Sequence, residues 1–302
     1  MKIGLYFHTL RHLKLRQILF QVFYRLHTVK PKFCKYPPNL RSNKGHFVDV
    51  IKGRISLIGA RQFSFYGEVG DLENIGWDGI EKNKLWRYNQ HYFDDLNALD
   101  ASQRTHWHKK LLADWVLNNS SGECVGWDAY PLSLRVVNWI KWDLRGGDLS
   151  PSCRNSLLSQ GLTLDKKIEY HILGNHLFTN AKALVFIGCY LDGIDSNKLL
   201  DKGLKLILRE LDIQVLNDGG NFELSPMYHC IFLEDVLDLL NILRTCRPQG
   251  CESVLYVLKT VIPKMLVWMN HMTHGDGRVS CFNDSATNIA SSPTDIVEYA
   301  KR

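Results

Sequence analysis

The sequence predicts a mainly α protein of antiparallel helical hairpins, with a small strand region ahead of them. Three observations predict it. From Asn83 onward apolar residues recur at helical spacing in segment after segment, as in Leu177, Ala181, Leu184, Val185 and Gly188, or Leu233, Val236, Leu237 and Leu240. Short polar stretches separate the segments, which makes neighbours antiparallel. No fixed-period self-similarity appears, which weighs against a repeat solenoid. A plain bundle and a ring of hairpins both fit, and periodicity alone does not choose between them.

In chain order, Met1–Leu26 carries a helical stripe of Leu15, Ile18, Leu19, Val22, Phe23 and Leu26, accompanied by Arg11, Lys14, Arg16 and Arg25. Residues 1–54 hold twelve Lys/Arg against one acid, Asp49, a balance of +11; the whole chain is +6, so residues 55–302 sum to −5. The basic character belongs to this arm. Two readings fit it: an amphipathic helix in peripheral contact with an anionic membrane or acidic partner, or a helix docked on the body with its basic face in water. Val29–Lys44, with Pro31, Pro37 and Pro38, reads as a linker. His46–Gly67 alternates β-branched and aromatic residues and predicts a strand pair. Helices are expected near 93–118, 131–144, 152–172, 176–191, 197–216, 229–245 and 251–272, with Pro131 in a favoured first-turn position and Ser225-Pro226 as a start signal. The organisation is therefore an N-terminal region of helix, linker and strands over residues 1–82 and a helical domain over 83–302.

Composition excludes several classes. An apolar content of 45% supports a sizeable core. Eight cysteines without CxxC spacing read as reduced thiols, with neither a disulfide framework nor a zinc site. No apolar run approaches the roughly 20 residues of a membrane span. No cleavable secretory signal is recognisable at the start, so a cytoplasmic place is the default expectation. No nucleic-acid motif accompanies the basic arm, so nucleic acid is not an expected partner.

Four constellations carry chemistry. Asn175 and His176 follow Gly174 at a helix start, where free N–H groups and the dipole attract anions; an amide and an imidazole there suit a carboxylate clamp, while a plain cap and first-turn histidine are the ordinary alternative. Tyr228 and His229 open a second helix, downstream of Glu223 and the turn Asn217-Asp218-Gly219-Gly220; tyrosine serves as acid or base when its surroundings tune it, or simply packs between helices. The run Trp86-Arg87-Tyr88-Asn89-Gln90-His91-Tyr92-Phe93 and the stretch Trp127-Asp128-Ala129-Tyr130-Pro131 with Arg135 offer aromatic faces for sugars and guanidinium forks for carboxylate or sulfate. From these, Arg87, Tyr88, Asn89, His91, Tyr92, Trp127 and Arg135 are candidate substrate contacts, with a tryptophan core and an ion-paired Arg135 as the alternative. His274–Arg278 and Phe282–Ser285 read as turns, lacking the acids of a calcium loop, with Asn283 or Asp284 expected to face the basin that a ring of hairpins would form from its loops at one end.

Together these stretches resemble the heparinase II/III-like polysaccharide lyases, especially members from capsule and exopolysaccharide settings. The matching segments are LWRYNQHYFDDL (85–96), WDAYPLSLRVVNWIKW (127–142), HILGNHLFTNAKAL (171–184), NDGGNFELSPMYH (217–229) and GDGRVSCFNDSATNIA (275–290). The resemblance implies an incomplete (α/α) toroid followed in the family by a C-terminal β-sandwich, which is absent before the chain stops at Arg302. It implies β-elimination at a uronic acid of an acidic polysaccharide such as a glycosaminoglycan or alginate. In it Asn175, joined by His176, neutralises the substrate carboxylate, and Tyr228 acts as acid and often base. Glu223, His229 and Asn283 join the substrate contacts. No cofactor is expected within these residues; the family draws a further histidine, and sometimes a metal, from its second half. A separate β-sandwich domain or chain is thus an expected partner, and a periplasmic place follows by family analogy. The competing readings are an acidic-glycan-binding protein without turnover, an inverting glycoside hydrolase using Asp218 and Glu223, and a helical interaction module.

Overall fold

The computed structural model describes residues 13, 15–26, 29–33, 36–120 and 122–302. Of the helix expected over Met1–Leu26, the described part is α1, Leu15–Leu26. Residues 1–12, Lys14 and Cys34 lie outside the described residues, as do the side chains of Arg16 and Leu26. α1 docks on the body: the Phe20 ring lies 4.7 Å from that of Tyr170, and the Tyr24 hydroxyl donates to the Ile168 carbonyl. The side turned outward includes Leu15, Leu19, Val22 and Phe23, so this helix shows solvent an apolar stripe as well as Arg25. The linker is held in place too, with Arg41 donating to the Gly188 carbonyl at 2.9 Å.

The strand region differs from expectation. It forms three short antiparallel strands in sequential order, β1 (Leu57–Gly59), β2 (Gln62–Phe65) and β3 (Glu68–Asp71). Tyr66 and Gly67, with φ of 53° and 79°, make the two-residue turn that twisted hairpins favour. Residues 46–55 stay outside the sheet because the body claims them: Asn241 brackets Val48 through both its N–H and its carbonyl. Phe63 and Phe65 face the same core as Trp77 and Trp86.

After a single turn, α2 (Leu72–Ile75), the remaining helices are α3 (Lys84–Tyr92), α4 (Thr105–Asn118), α5 (Ala129–Leu144), α6 (Pro151–Lys167), α7 (Gly174–Tyr190), α8 (Ile194–Gln214), α9 (Pro226–Cys246), α10 (Glu252–His271) and α11 (Pro293–Lys301). Three begin on the same Ser-Pro device. Ser150, Ser225 and Ser292 each accept a hydrogen bond from the N–H three residues on, and the proline fills the first turn. Contacts run in two arcs. α3 packs on α5, α5 on α7, α7 on α9 and α9 on α11, while α4 packs on α6, α6 on α8 and α8 on α10. Two concentric arcs of alternating helices are an incomplete (α/α) toroid. Periodicity left bundle and ring open, and the arcs decide for the ring. From Leu177 to Tyr190 every residue of α7 is buried, as an inner helix covered on all sides must be. Gly203 lets α8 approach it closely, since a Cβ there would sit 3.0 Å from the Val185 amide nitrogen.

Two boundaries moved. The helix expected from residue 93 starts at Thr105, because Phe93 and Asp100 adopt left-handed φ values of 60° and 52° and break the path into two 3-10 turns. The helix expected to reach residue 172 ends at Lys167, and the freed segment carries the chain into the start of α7. No helix among the described residues is long and apolar enough to cross a membrane. The described cysteines are free thiols.

Candidate functional site

The chain enters α7 through a strained corner. Leu173 has φ 69° and ψ −160°, a region that disfavours a side chain, and Gly174 follows at φ 53°. The corner points Asn175 and His176 off the first turn instead of burying them. It also admits Glu223: a Cβ on Gly174 would lie 2.9 Å from Glu223 Oε1, and the backbone N–H of Asn175 donates to the Glu223 carboxylate. The anion-attracting helix start is thus occupied by the chain's own acid. Burial pushes the Glu223 carboxyl up and Asp284 adds to it, against the opposing Asn175 N–H and His176.

His176 is held on two sides. Its Nδ1 lies 3.2 Å from Glu169 Oε1. Its ring packs 4.4 Å from that of Tyr130, on the first turn of α5. The side chain remains 37% exposed. The Asn175 side chain faces the Tyr130 phenol, and Tyr130 lies close enough to Tyr228 for their charges to interact. Tyr228 opens α9, where Ser225 caps its N–H at 3.2 Å. The Ser225 hydroxyl also meets Ser285 at 2.8 Å, and Asn283 donates to the Leu224 carbonyl at 2.7 Å, which docks the loop 283–285 beside Tyr228. Asn175, His176, Tyr228 and Glu223 are therefore one cluster, with Asp284 at its edge. Burial raises the Tyr228 phenol above its ordinary value, and Asp284 and Glu223 raise it further. Tyr130 is raised for the same leading reason, with Asp235 and Asp94 adding to it. Both phenols stay protonated at neutral pH, which suits a proton donor.

The aromatic run of α3 divides. Tyr92 packs edge-on to Tyr130 at 6.1 Å and continues the cluster. Tyr88 donates to Asp128, and Arg87 is tied to Asp78 at 2.7 Å. Asn89 lies on the outer turn, donating to the Leu85 carbonyl at 2.8 Å. His91, Trp127, Arg135 and His229 sit in the core, and for these four the expected substrate contact does not fit their positions. His91 and Trp127 are 0% and 1% exposed; His91 Nδ1 accepts from Trp115, and the Trp127 indole donates to the Asn119 carbonyl. Arg135 is 0% exposed and lies 3.9 Å over the Trp115 ring. Among the described residues it has no ion-pair partner either. Its donors go to Gln160 and to the Gly126 and His91 carbonyls, and burial lowers its pKa to about 9. His229 Nδ1 accepts from the Asn221 N–H while Nε2 meets the Met265 carbonyl at 3.0 Å, so the neutral ring ties two segments together. Asp218 caps its own turn at the Gly220 N–H.

Residues outside the candidate set complete the cluster. Tyr130 lies in the aromatic stretch 127–131, and its helix-start position beside Pro131 was the available signal. Glu169 had none, because its approach to His176 depends on the Leu173 corner. Asp94 is exposed yet closely surrounded by protein, as the floor of a concavity is. That enclosure pushes its carboxyl up to about 6 despite a 2.7 Å hydrogen bond from Asn138. Further along α7 and α9, Lys182 meets Asp235 at 2.6 Å and Asp238 at 2.5 Å, and Lys141 also pairs with Asp238. Two clefts elsewhere, of about 360 Å³ beside Arg154 and about 520 Å³ beside Trp77, include none of these residues, so volume does not mark the cluster. Among the described residues no group of His, Cys, Asp and Glu is placed to hold a metal.

The family model Heparinase II/III N-terminus matches residues 154–301, which contain both helix starts. Over 258 residues, 73% of this chain, the sequence is 31% identical to a heparin-sulfate lyase of Bacteroides stercoris. The chain belongs to the heparinase II/III-like family. The heparinase II/III-like fold is shared with solved structures. The heparinase III from the BT4657 gene superposes with a TM-score of 0.54 at 19% identity, covering 76% of this chain and 42% of that one. A mutant of the heparan sulfate lyase HepC of Pedobacter heparinus gives a TM-score of 0.50 at 20% identity over 75% of this chain and 39% of that one. This heparinase II/III-like chain spans 37% of the length of the Bacteroides relative.

Proposed function

We propose that this chain carries the helical part of a polysaccharide lyase site, which opens a uronate-containing acidic polysaccharide by β-elimination. The observation that supports it most is the convergence of Asn175 and His176 from α7 with Tyr228 from α9 around the Tyr130 phenol. The Bacteroides relative, a heparin-sulfate lyase by name, supports the same class. In this reading Asn175 hydrogen-bonds the substrate carboxylate, which stabilises the charge that develops as the C5 proton leaves. The Asn175 amide has Tyr130 as its neighbour, and its oxygen faces the Thr179 hydroxyl at 3.5 Å. Tyr228, kept protonated by burial and by Glu223 and Asp284, hands its proton to the departing glycosidic oxygen. The exposed Asn283 and the half-buried Tyr88 are the groups that sugars beyond the scissile bond would pass.

The test is a panel of acidic polysaccharides assayed for ultraviolet absorbance of the unsaturated product, with Tyr228→Phe beside the wild type. Wild-type product, a rate loss of about 10²- to 10⁴-fold in the variant and unchanged polymer binding are expected. Full activity of Tyr228→Phe would remove the phenol from the mechanism. Saccharide binding without any unsaturated product would favour a glycan-binding protein.

A further inference from the structure

We infer that α1 is an interfacial helix: its outward apolar stripe seats the protein on an anionic lipid surface, and the basic arm draws it there. This holds whether or not the chain is a lyase.

α1 is apolar on two sides. The inner side is committed to the body. The Phe20 ring packs 4.7 Å from that of Tyr170, the Tyr24 hydroxyl donates to the Ile168 carbonyl, and the Gln17 amide donates to the His171 carbonyl at 3.2 Å. Leu15, Leu19 and Val22 are spaced to form one stripe of a helix, and they are 72%, 60% and 52% exposed. A docked surface helix ordinarily turns its apolar side inward and its polar side to water. Here one apolar side does the docking and a second is left over. Exposed Gln21 and Arg25 flank that second side, and Lys30 and Lys32 are exposed just beyond the helix.

Charge decides the occupant. Residues 1–54 carry +11, whereas residues 55–302 carry −5. An anionic surface attracts the arm and repels the rest, so the protein approaches it with α1 foremost. A second copy would set one strongly basic arm against another, which like-charge repulsion opposes. Leucines on one face with arginine and lysine beside them are the pattern of a helix lying in the headgroup plane. No helix among the described residues is long and apolar enough to cross a bilayer, so for these residues the contact is peripheral. A stripe this short binds reversibly and needs apolar contact and charge together.

The seat bears on the site. α1 docks against residues 168–171, the segment that runs into the start of α7. His171 and Asn175 are four residues apart, at most about 14 Å of chain. A lipid-bound α1 therefore holds the start of α7 near the membrane surface.

The experiment is co-sedimentation of the full chain with vesicles of phosphatidylcholine alone and of equal parts phosphatidylcholine and phosphatidylglycerol, with thermal unfolding and light-scattering mass measured on every variant. Binding to the anionic vesicles only, lost in about 1 M salt where the Debye length is about 3 Å, is expected. Leu19→Glu should weaken it by about tenfold or more without moving the melting temperature, since the side chain packs on little of the body. Arg25→Gln should weaken it by about fivefold. Ile194→Glu is the control: Ile194 is 77% exposed but opens α8, at the other end of α7 from residues 168–171, and its binding should equal wild type. Should Leu19→Glu lower the melting temperature, Val22→Gln reads the same stripe. No binding to anionic vesicles, binding that survives both stripe variants, or an equal loss in Ile194→Glu overturns the inference. A dimer that Leu19→Glu splits would assign the stripe to a second copy instead.

Discussion

The stretch from Trp86 to Arg135 and the starts of α7 and α9 hold similar chemistry in opposite circumstances. In the first, His91, Trp127 and Arg135 are enclosed and spend their hydrogen bonds on carbonyls, an amide and each other's helices. In the second, Asn175, His176 and Tyr228 come from helix ends and keep polar atoms turned to solvent. The lesson concerns position. Aromatic and cationic residues deep inside a helix pack its interior seam, whereas a polar residue on the first turn stands where neighbouring helices no longer cover it. The strained corner at Leu173 and Gly174 immediately precedes that first turn of α7.

Three substitutions sharpen or break this contrast. Arg135→Met has the largest expected effect on folding, a loss of about 3 kcal/mol in chemical denaturation, because Gln160 and two carbonyls lose their donor in the core. A stable Arg135→Met protein that no longer binds saccharide would break the contrast. Next is His229. Its pKa is lowered from 6.5 to about 4, first by burial. Above about pH 6.5 the ring is neutral folded or unfolded; as pH falls toward about 4 the unfolded chain takes the proton first, and stability is lost. The cost is on the order of 2 kcal/mol at about pH 5. His229→Phe should therefore show a shallower fall in stability over this window, and an identical slope would place the ring outside the core's titration. The smallest effect is expected for Asn89→Ala, with stability within about 0.5 kcal/mol of wild type. Its binding of an acidic oligosaccharide, read by calorimetry, should weaken by about fivefold, one ordinary hydrogen bond.

Much of the fold was legible. The helical period placed α5 to α10 to within a few residues, and Ser225-Pro226 marked the start of α9. The breaks at Phe93 and Asp100 were not legible, because left-handed phenylalanine and aspartate follow from packing and not from local preference. The alternative of a tryptophan core around Trp139 was the better description of residues 127–142, since apolar and aromatic residues there fill both faces of α5. At the site, residue types and helix-start signals pointed to Asn175, His176 and Tyr228. Glu169 was out of reach, since a contact made across a corner of unusual backbone leaves no spacing to read.

The ion pair between Lys182 and Asp235 has a consequence for the site above it. Each partner lies seven residues along its helix from a group at the top: 175 to 182 on α7, and 228 to 235 on α9. Seven residues are two turns and roughly 10 Å of rise, so each charge stands under its reacting group on the same face. The pair acts as a locating pin between two parallel shafts, fixing how far one can slide or rotate against the other. The span between amide and phenol is thereby gauged from below, out of the polymer's path, where the sugar can neither shift it nor wear it loose.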